Sequence, residues 1–388
     1  MIGVVARPGI ISFAGGLPAS DLLPAEAFAE CIYHVLTSDG SNALQYRPAH
    51  MPLIEAIIEI MAHRGVTVRA EQVLITTGAQ QALSILAMLL VDPDSPVIHE
   101  QVVYTGIRQA FGWRTTDVRL VPTSLDRGID VDAVASAISG SPPRAIVVVP
   151  NYHNPLGVTI PFDSRQRLIE IARAHETAII EDDPYGLLYF DRPPPESMLV
   201  LDPEHVLFVS SFSKLIAPAL RLGWIVAPPP LIEKLRVLKE GLDLETGGLV
   251  QRAAAEYVRR GYLWRHLGII RAEYRQRRNT MMAAIAEHFP PSCQHSNPDG
   301  GMFVWVELPF SVDMRHLLDL ALDQQVAFIP GAAFAPDGIG ARALRLNFSN
   351  SPPALIMDGI QRLGRVLAQA AAEAGRPVAA GDGKKVPA

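Results

Sequence analysis

Lys214 sits in the run Ser210-Ser211-Phe212-Ser213-Lys214, directly behind an apolar stretch, and Arg221 follows seven positions later. A lysine can condense with a carbonyl compound once its amine is neutral. A free lysine amine titrates near about 10.4, so a neighbouring cation such as Arg221 favours that reactive form. Three other apolar runs also end in polar groups. Thr77-Gly78-Ala79-Gln80 follows VLIT and opens a helix, Pro150-Asn151-Tyr152-His153-Asn154-Pro155 follows AIVVV, and Asp182-Asp183-Pro184-Tyr185 follows AIIE. These four places offer an anion-binding helix start, an amide, a carboxylate and a lysine with an arginine nearby.

One ligand uses all of them: a phosphorylated pyridine aldehyde. The lysine takes the aldehyde, a carboxylate keeps the ring nitrogen protonated so that the ring withdraws electrons, and helix-start N–H groups, hydroxyls and an arginine fork carry the phosphate. That ligand is pyridoxal 5′-phosphate. Competing motifs are absent or incomplete. GxGxxG, GxxxxGK, HExxH and CxxC do not occur. Ser211-Phe212-Ser213-Lys214 satisfies the S-x-x-K of serine acylases, but S-D-N and K-T-G are missing. No metal site is expected, and the sequon Asn347-Phe348-Ser349 is read as incidental in a chain with no visible signal peptide.

The elements that must present these residues follow from periodicity. QVLIT (72–76), SPVIH (95–99), DVRLV (117–121), RAIVVV (144–149), TAIIED (177–182), HVLFVS (205–210) and GWIVA (223–227) read as strands with apolar residues on both faces. Helical spacing over 80–91, 131–139 and 163–175 separates them. The pattern implies an α/β domain with a mainly parallel sheet and room for an antiparallel edge strand. Sites in such sheets form outside the carboxyl ends of the strands, where the polar groups fall. After about residue 228 the texture changes. Helices over 250–259, 271–288 and 313–323, with strands GGMFVWVEL (300–308), QQVAFIP (324–330) and ARALRLNFS (341–349), imply a smaller α+β domain. The expected division is an arm at 1–47, a cofactor domain at 48–250, a small domain at 251–370 and a flexible tail at 371–388. Residues 1–50 read as short and loop-rich, packing on both domains or on a neighbour.

Composition bounds the function. With 388 residues, 49% hydrophobic and 19% charged, the chain can bury two cores. Its net charge of −6 argues against a nucleic-acid partner. Cys31 and Cys293 supply neither a disulfide framework nor a thiolate metal cluster. The longest apolar run, Ala82 to Val91 broken by Ser84, is about half a membrane span. A soluble, cytoplasmic protein without a membrane partner is expected.

The sequence resembles fold-type I pyridoxal-phosphate aminotransferases of class I, in the branch of 2-aminoadipate and kynurenine aminotransferases and MocR regulator domains. The carriers are ISFAGGLP (11–18), LQYRP (44–48), TTGAQQAL (76–83), VVYTG (102–106), PNYHNPLG (150–157), IIEDDPYG (179–186), SSFSKLIAPALRLGW (210–224), NPDGGMFVWVELP (297–309) and RLNFS (345–349). They run from about Ile11 to Ser351, nearly the whole chain. The resemblance implies that Lys214 binds the cofactor and then moves the α-proton. Asp182 would pair with the ring nitrogen, Tyr185 and Asn154 with the ring's phenolic oxygen, and Tyr104 would stack on its face. Gly78, Ala79, Gln80, Ser211, Ser213 and Arg221 would form the phosphate cup, joined by Tyr46 from the partner of a homodimer. Arg345 would clamp the substrate α-carboxylate, helped by Gly16 and Asn154. The substrates implied are an aromatic, aliphatic or aminoadipate-like L-amino acid and a 2-oxo acid.

Plainer roles compete at several positions. Asp183 rivals Asp182, Arg342 rivals Arg345, Tyr104 could be core packing, and His153 could be structural or could polarise substrate. The sequence also departs from the family pattern Q-Y-G-P-x-x-G. Gln45-Tyr46-Arg47-Pro48-Ala49-His50-Met51 lacks both glycines, so Arg47 and His50 are either rim residues or contacts to an acidic substrate. Ala79 stands where serine is common. The substrate pocket is expected from Leu17 to Leu23, Tyr104 and the loop Gly300–Phe303, which favours aromatic or aliphatic amino acids. Transamination is the expected reaction. The alternatives are a lyase, decarboxylase or oxidase on the same scaffold, or a regulator's effector domain.

Overall fold

The computed structural model describes residues 9–138, 140–336 and 338–374. Seven strands make the large sheet: β1 (Val73–Thr76), β2 (Val97–Glu100), β3 (Val118–Val121), β4 (Ala145–Val148), β5 (Ala178–Asp182), β6 (Val206–Ser211) and β7 (Gly223–Val226). Their order is β1-β7-β6-β5-β4-β2-β3. Every residue of β4 and β6 is buried, whereas edge strand β3 is mostly half-buried. Interior strands covered by helices on both faces require that continuous apolar content.

β7 alone runs antiparallel, and it lies between β1 and β6 rather than at the edge expected from sequence. The connection 212–222 is a loop with one 3-10 turn at Pro218–Leu220, too short for the crossover that a parallel return needs. The reversal has a chemical result. Lys214, just after β6, and Arg221, just before β7, both emerge at the sheet edge where β1, β4 and β5 end. Gly223 makes the junction possible, because a Cβ there would lie 2.7 Å from the Gly78 carbonyl carbon and 2.8 Å from Ser210 O.

The second sheet is antiparallel: β8 (Gln294–His295), β9 (Phe303–Glu307), β10 (Ile329–Pro330) and β11 (Ala343–Asn347), in order β8-β9-β11-β10. QQVAFIP is not one strand. Val326–Ala327 pairs in parallel with Ile11–Ser12, and after the buried Phe328 the chain joins β11 as β10. Helices Tyr262–His288 and Pro353–Ala374 pack together behind this sheet. The latter runs past residue 370 into the segment read as a tail, and 375–388 lie outside the described residues.

The N-terminal region is not simply loop-rich. Ala25–Asp39 is a helix whose face Phe28, Cys31, Ile32, Val35 has the i, i+3, i+4, i+7 spacing of an apolar stripe. It packs on helix Gly248–Arg259 and stops at Gly40, whose φ of 55° suits glycine. No described helix is long and apolar enough to cross a membrane.

Candidate active site

A cavity of about 580 Å³ opens at the carboxyl edge of the large sheet, where residues of the second sheet meet it. Lys214 reaches into it from the loop after β6, and its Nζ donates to Gly16 O at 2.7 Å. Burial, with the Arg345 and Arg221 cations nearby, lowers its ammonium to about 8. A neutral, nucleophilic amine is therefore accessible near physiological pH. Gly16 is held from both sides: Asn347 Nδ2 donates to Gly15 O and Leu17 O, and Ser349 Oγ donates to Leu17 O. Asn347 is thus an internal clamp whose side chain is fully buried.

Asp182 closes β5 and lines the same cavity. Burial, and secondarily Asp183, push its carboxyl up to about 7, and its Oδ1 has no hydrogen-bond partner among the described residues. A buried carboxylate lacking a partner fits a cationic ring nitrogen, which would relieve the cost of its charge. Asp183 is committed elsewhere, to Arg64 at 3.2 Å and Gly186 N at 2.8 Å. Tyr185 also lines the cavity. Burial and the neighbouring Tyr104 raise its phenol well above the ordinary range, while Arg345 and its bond to Asn154 pull the other way.

The opposite end suits a phosphate. Helix Ala79–Leu90 begins at Gly78, which has no side-chain cap, so its first N–H groups are available to an anion. Gly78 has φ +83°, and a Cβ there would lie 2.5 Å from Arg221 Nη2. Ala79, Gln80, Ser211, Ser213 and Arg221 line the cavity beside it. Ser211 Oγ donates to Ser213 Oγ at 2.8 Å, and Gln80 Nε2 holds Gly106 O at 3.0 Å below Tyr104. Tyr104, half-exposed at 37%, lines the cavity at the start of helix Thr105–Gly112. The residues present fit pyridoxal phosphate at both ends.

Arg345 enters from β11 and is 5% exposed. Its Nη1 donates to Asn154 Oδ1 at 2.9 Å and its Nη2 to Ala14 O at 2.5 Å. The guanidinium carbon lies 4.4 Å from the Phe303 ring centre and 4.8 Å from that of Phe334. Phe303 belongs to the loop expected at the pocket and Phe334 does not, and a cation–π contact of this kind leaves no sequence signature. No carboxylate lies within ion-pair distance of Arg345 among the described residues. Arg342, its rival, is exposed.

Other expected positions lie elsewhere. Tyr46 is 78% exposed and borders a separate surface depression with Arg47 and Leu244. His50 borders another, with Arg252 and Glu256, so neither Arg47 nor His50 lines the cavity of its own chain. His153 faces away, with Nε2 3.0 Å from Glu100 Oε2 and both side chains fully buried. The loop Gly300–Phe303 does not line the cavity, because Gly300 and Gly301 press against the Tyr152 ring. Leu17 does, but its wall is completed by Ile329, Ala333 and Phe334. That segment follows the sheet switch at Phe328, which the periodicity did not disclose.

Over 373 residues the chain is 37% identical to the 2-aminoadipate transaminase of Thermus thermophilus, covering 95% of this chain and 92% of that one. It is 34% identical over 376 residues to aromatic-amino-acid aminotransferase 1 of Thermococcus litoralis, covering 95% and 90%. The crystal structure of α-aminoadipate aminotransferase from Thermus thermophilus, complexed with N-(5′-phosphopyridoxyl)-L-leucine, superposes with a TM-score of 0.89 at 35% identity, covering 96% and 97%. Residues 9–363 match the family Aminotransferase class I and II. With Lys214, Asp182 and Arg345 gathered in one cavity between the two sheets, the chain belongs to that family and is a pyridoxal-phosphate-dependent aminotransferase.

Proposed function

We propose that this aminotransferase takes the α-amino group from L-amino acids with aromatic or aliphatic side chains and passes it to a 2-oxo acid. Arg345 carries this reading. It is a buried guanidinium with no acidic partner among the described residues, so a substrate carboxylate is the group that would neutralise it. The remaining cations at the cavity are Lys214 and, at the phosphate end, Arg221. Among the described residues no further cation lines the cavity to meet a side-chain carboxylate, and Leu17, Ile329 and Phe334 offer apolar contact instead. An aminoadipate-like side chain would need a cation from elsewhere.

Bound pyridoxal phosphate supplies a protonated ring that withdraws the electron pair released when a bond at the substrate Cα breaks. Asp182 accepts the ring N–H and keeps it charged. Tyr185 and Asn154 orient the ring through its oxygen, and Tyr104 covers its face. Gly78, Ala79, Gln80, Ser211, Ser213 and Arg221 grip the phosphate. Arg345, steadied by Asn154 and the two phenylalanine rings, fixes the α-carboxylate so that the Cα–H bond faces Lys214 Nζ, which takes the proton and later returns it.

The chain acts as a homodimer in this reading, with Tyr46 reaching the neighbour's phosphate. Its support is the exposure of Tyr46 amid exposed Leu44, Met51 and Leu244. The test of substrate class is a donor panel with one acceptor. Phenylalanine or leucine should exceed aminoadipate and aspartate in kcat/KM; the reverse order would overturn the apolar assignment.

A further inference from the structure

Asp182 and Asp183 are consecutive and both buried, yet the fold treats them oppositely. Asp182 keeps an oxygen without a partner among the described residues, whereas every polar atom of Asp183 is engaged. Asp183 N donates to Val209 O at 2.8 Å, and Asp183 O accepts from Ser210 Oγ at 2.8 Å. Its Oδ1 accepts from Gly186 N at 2.8 Å and its Oδ2 from Arg64 Nη2 at 3.2 Å. Arg64 comes from the turn after helix Met51–Ala62, and its one side-chain hydrogen bond among the described residues goes to Asp183. The pair is buried, with side-chain exposures of 6% and 1%. Gly186 lets the turn close on this carboxylate, since a Cβ there would lie 2.2 Å from Asp183 Oδ2.

We propose that Arg64 is a positioning residue for the cofactor ring: through Asp183 it pins the turn that presents Asp182 and Tyr185 to the cavity. This rests on the assignment of those two residues to the ring. The physical reason is twofold. A buried pair stripped of one partner leaves an uncompensated charge, and the turn must move to reach water or another donor. Two carboxylates on adjacent residues, with no cation beside either, would also compete for a proton, and a protonated Asp182 cannot hold a cationic ring. Arg64 does not line the cavity.

The test strips the full chain of cofactor and titrates it with pyridoxal phosphate, following the visible absorption band. Arg64→Met should weaken binding by about tenfold or more, the scale of one lost hydrogen bond to a charged group, and should alter the band. Arg64→Lys should recover part of the loss. Asp183→Asn should resemble Arg64→Met, and the double variant should be no worse than the weaker single, because the two residues act as one unit. If Arg64→Met does not fold, Arg64→Lys and Asp183→Asn carry the same comparison. Arg64 is only structural if its variants bind within about twofold of wild type with an unchanged band, whatever their melting temperature, or if the single losses multiply in the double variant. Asp182→Asn is measured alongside. Wild-type binding and turnover by that variant would remove the ring assignment itself, whereas an impaired Asp182→Asn beside an unimpaired Arg64→Met would remove only the role of Arg64.

Discussion

Arg345 Nη1 donates to Asn154 Oδ1 at 2.9 Å, although the two residues are 191 positions apart. The bond ties a strand of the small sheet to the turn after β4 of the large one, and it crosses the site. Substrate carboxylate and cofactor ring would therefore be held by one connected unit.

Arg345→Ala should raise KM for every amino acid by about a hundredfold, because the α-carboxylate is common to all and a bidentate charged contact is lost. Steady-state kinetics over aromatic, aliphatic and acidic donors checks this. A loss confined to one side-chain class would place Arg345 in the specificity pocket instead.

Lys214→Ala should abolish turnover while leaving the fold and some binding of cofactor with substrate. In the wild type the lysine titrates at about 8, below its ordinary value, so the reactive amine becomes available as pH rises. Covalent uptake of pyridoxal phosphate by the stripped protein should accelerate through that pH and level off above it. Stopped-flow absorbance reads the profile, and a rate that falls between pH 7 and pH 9 would contradict it.

Asp182 has the opposite linkage. Its carboxyl is raised to about 7, so the folded apoprotein binds a proton more tightly than the unfolded chain does. The contribution of this group to stability is complete at low pH and is lost as pH rises from about 4 to about 7. A cationic ring beside it offsets that loss. The gain in melting temperature on adding pyridoxal phosphate should be larger at pH 8 than at pH 6, and Asp182→Asn should flatten the difference. The same variant should lower kcat by orders of magnitude, and wild-type rates would instead point to Asp183.

Gly78→Ala should weaken cofactor binding by about tenfold or more, since the new methyl meets Arg221 Nη2 and the backbone conformation is left-handed. Isothermal titration of the stripped protein measures it. Unchanged affinity would show that the phosphate lies elsewhere.

Tyr46→Phe and Lys214→Ala should complement one another. In a mixed dimer, the site that keeps Lys214 would receive Tyr46 from its neighbour. Activity after co-refolding should exceed the sum of the two separate variants; no gain would argue against a shared site.

Much of this architecture is legible in the residues. All seven large-sheet strands announce themselves as short apolar runs, most of them buried on both faces. The polar groups at their ends mark Lys214, Asp182 and Gly78, since sheet topology brings those ends together. What stayed hidden depends on contacts between distant segments. The Arg64–Asp183 pair spans 119 positions, and the Phe303–Arg345–Phe334 stack joins three segments with no shared period. Strand direction is likewise invisible to periodicity, so β7 read as a strand but not as an internal antiparallel one. The helix Ala25–Asp39 is different: its apolar stripe and its terminal Gly40 are legible in the sequence itself.

The most direct measurement is the absorbance spectrum of the purified holoenzyme, alone and then with single amino acids under air and under argon. A visible cofactor band that an aromatic or aliphatic amino acid bleaches and a 2-oxo acid restores, equally in both atmospheres, is the expected result. Bleaching that no 2-oxo acid reverses, or that requires oxygen, would contradict transamination and assign this cavity to lyase or oxidase chemistry.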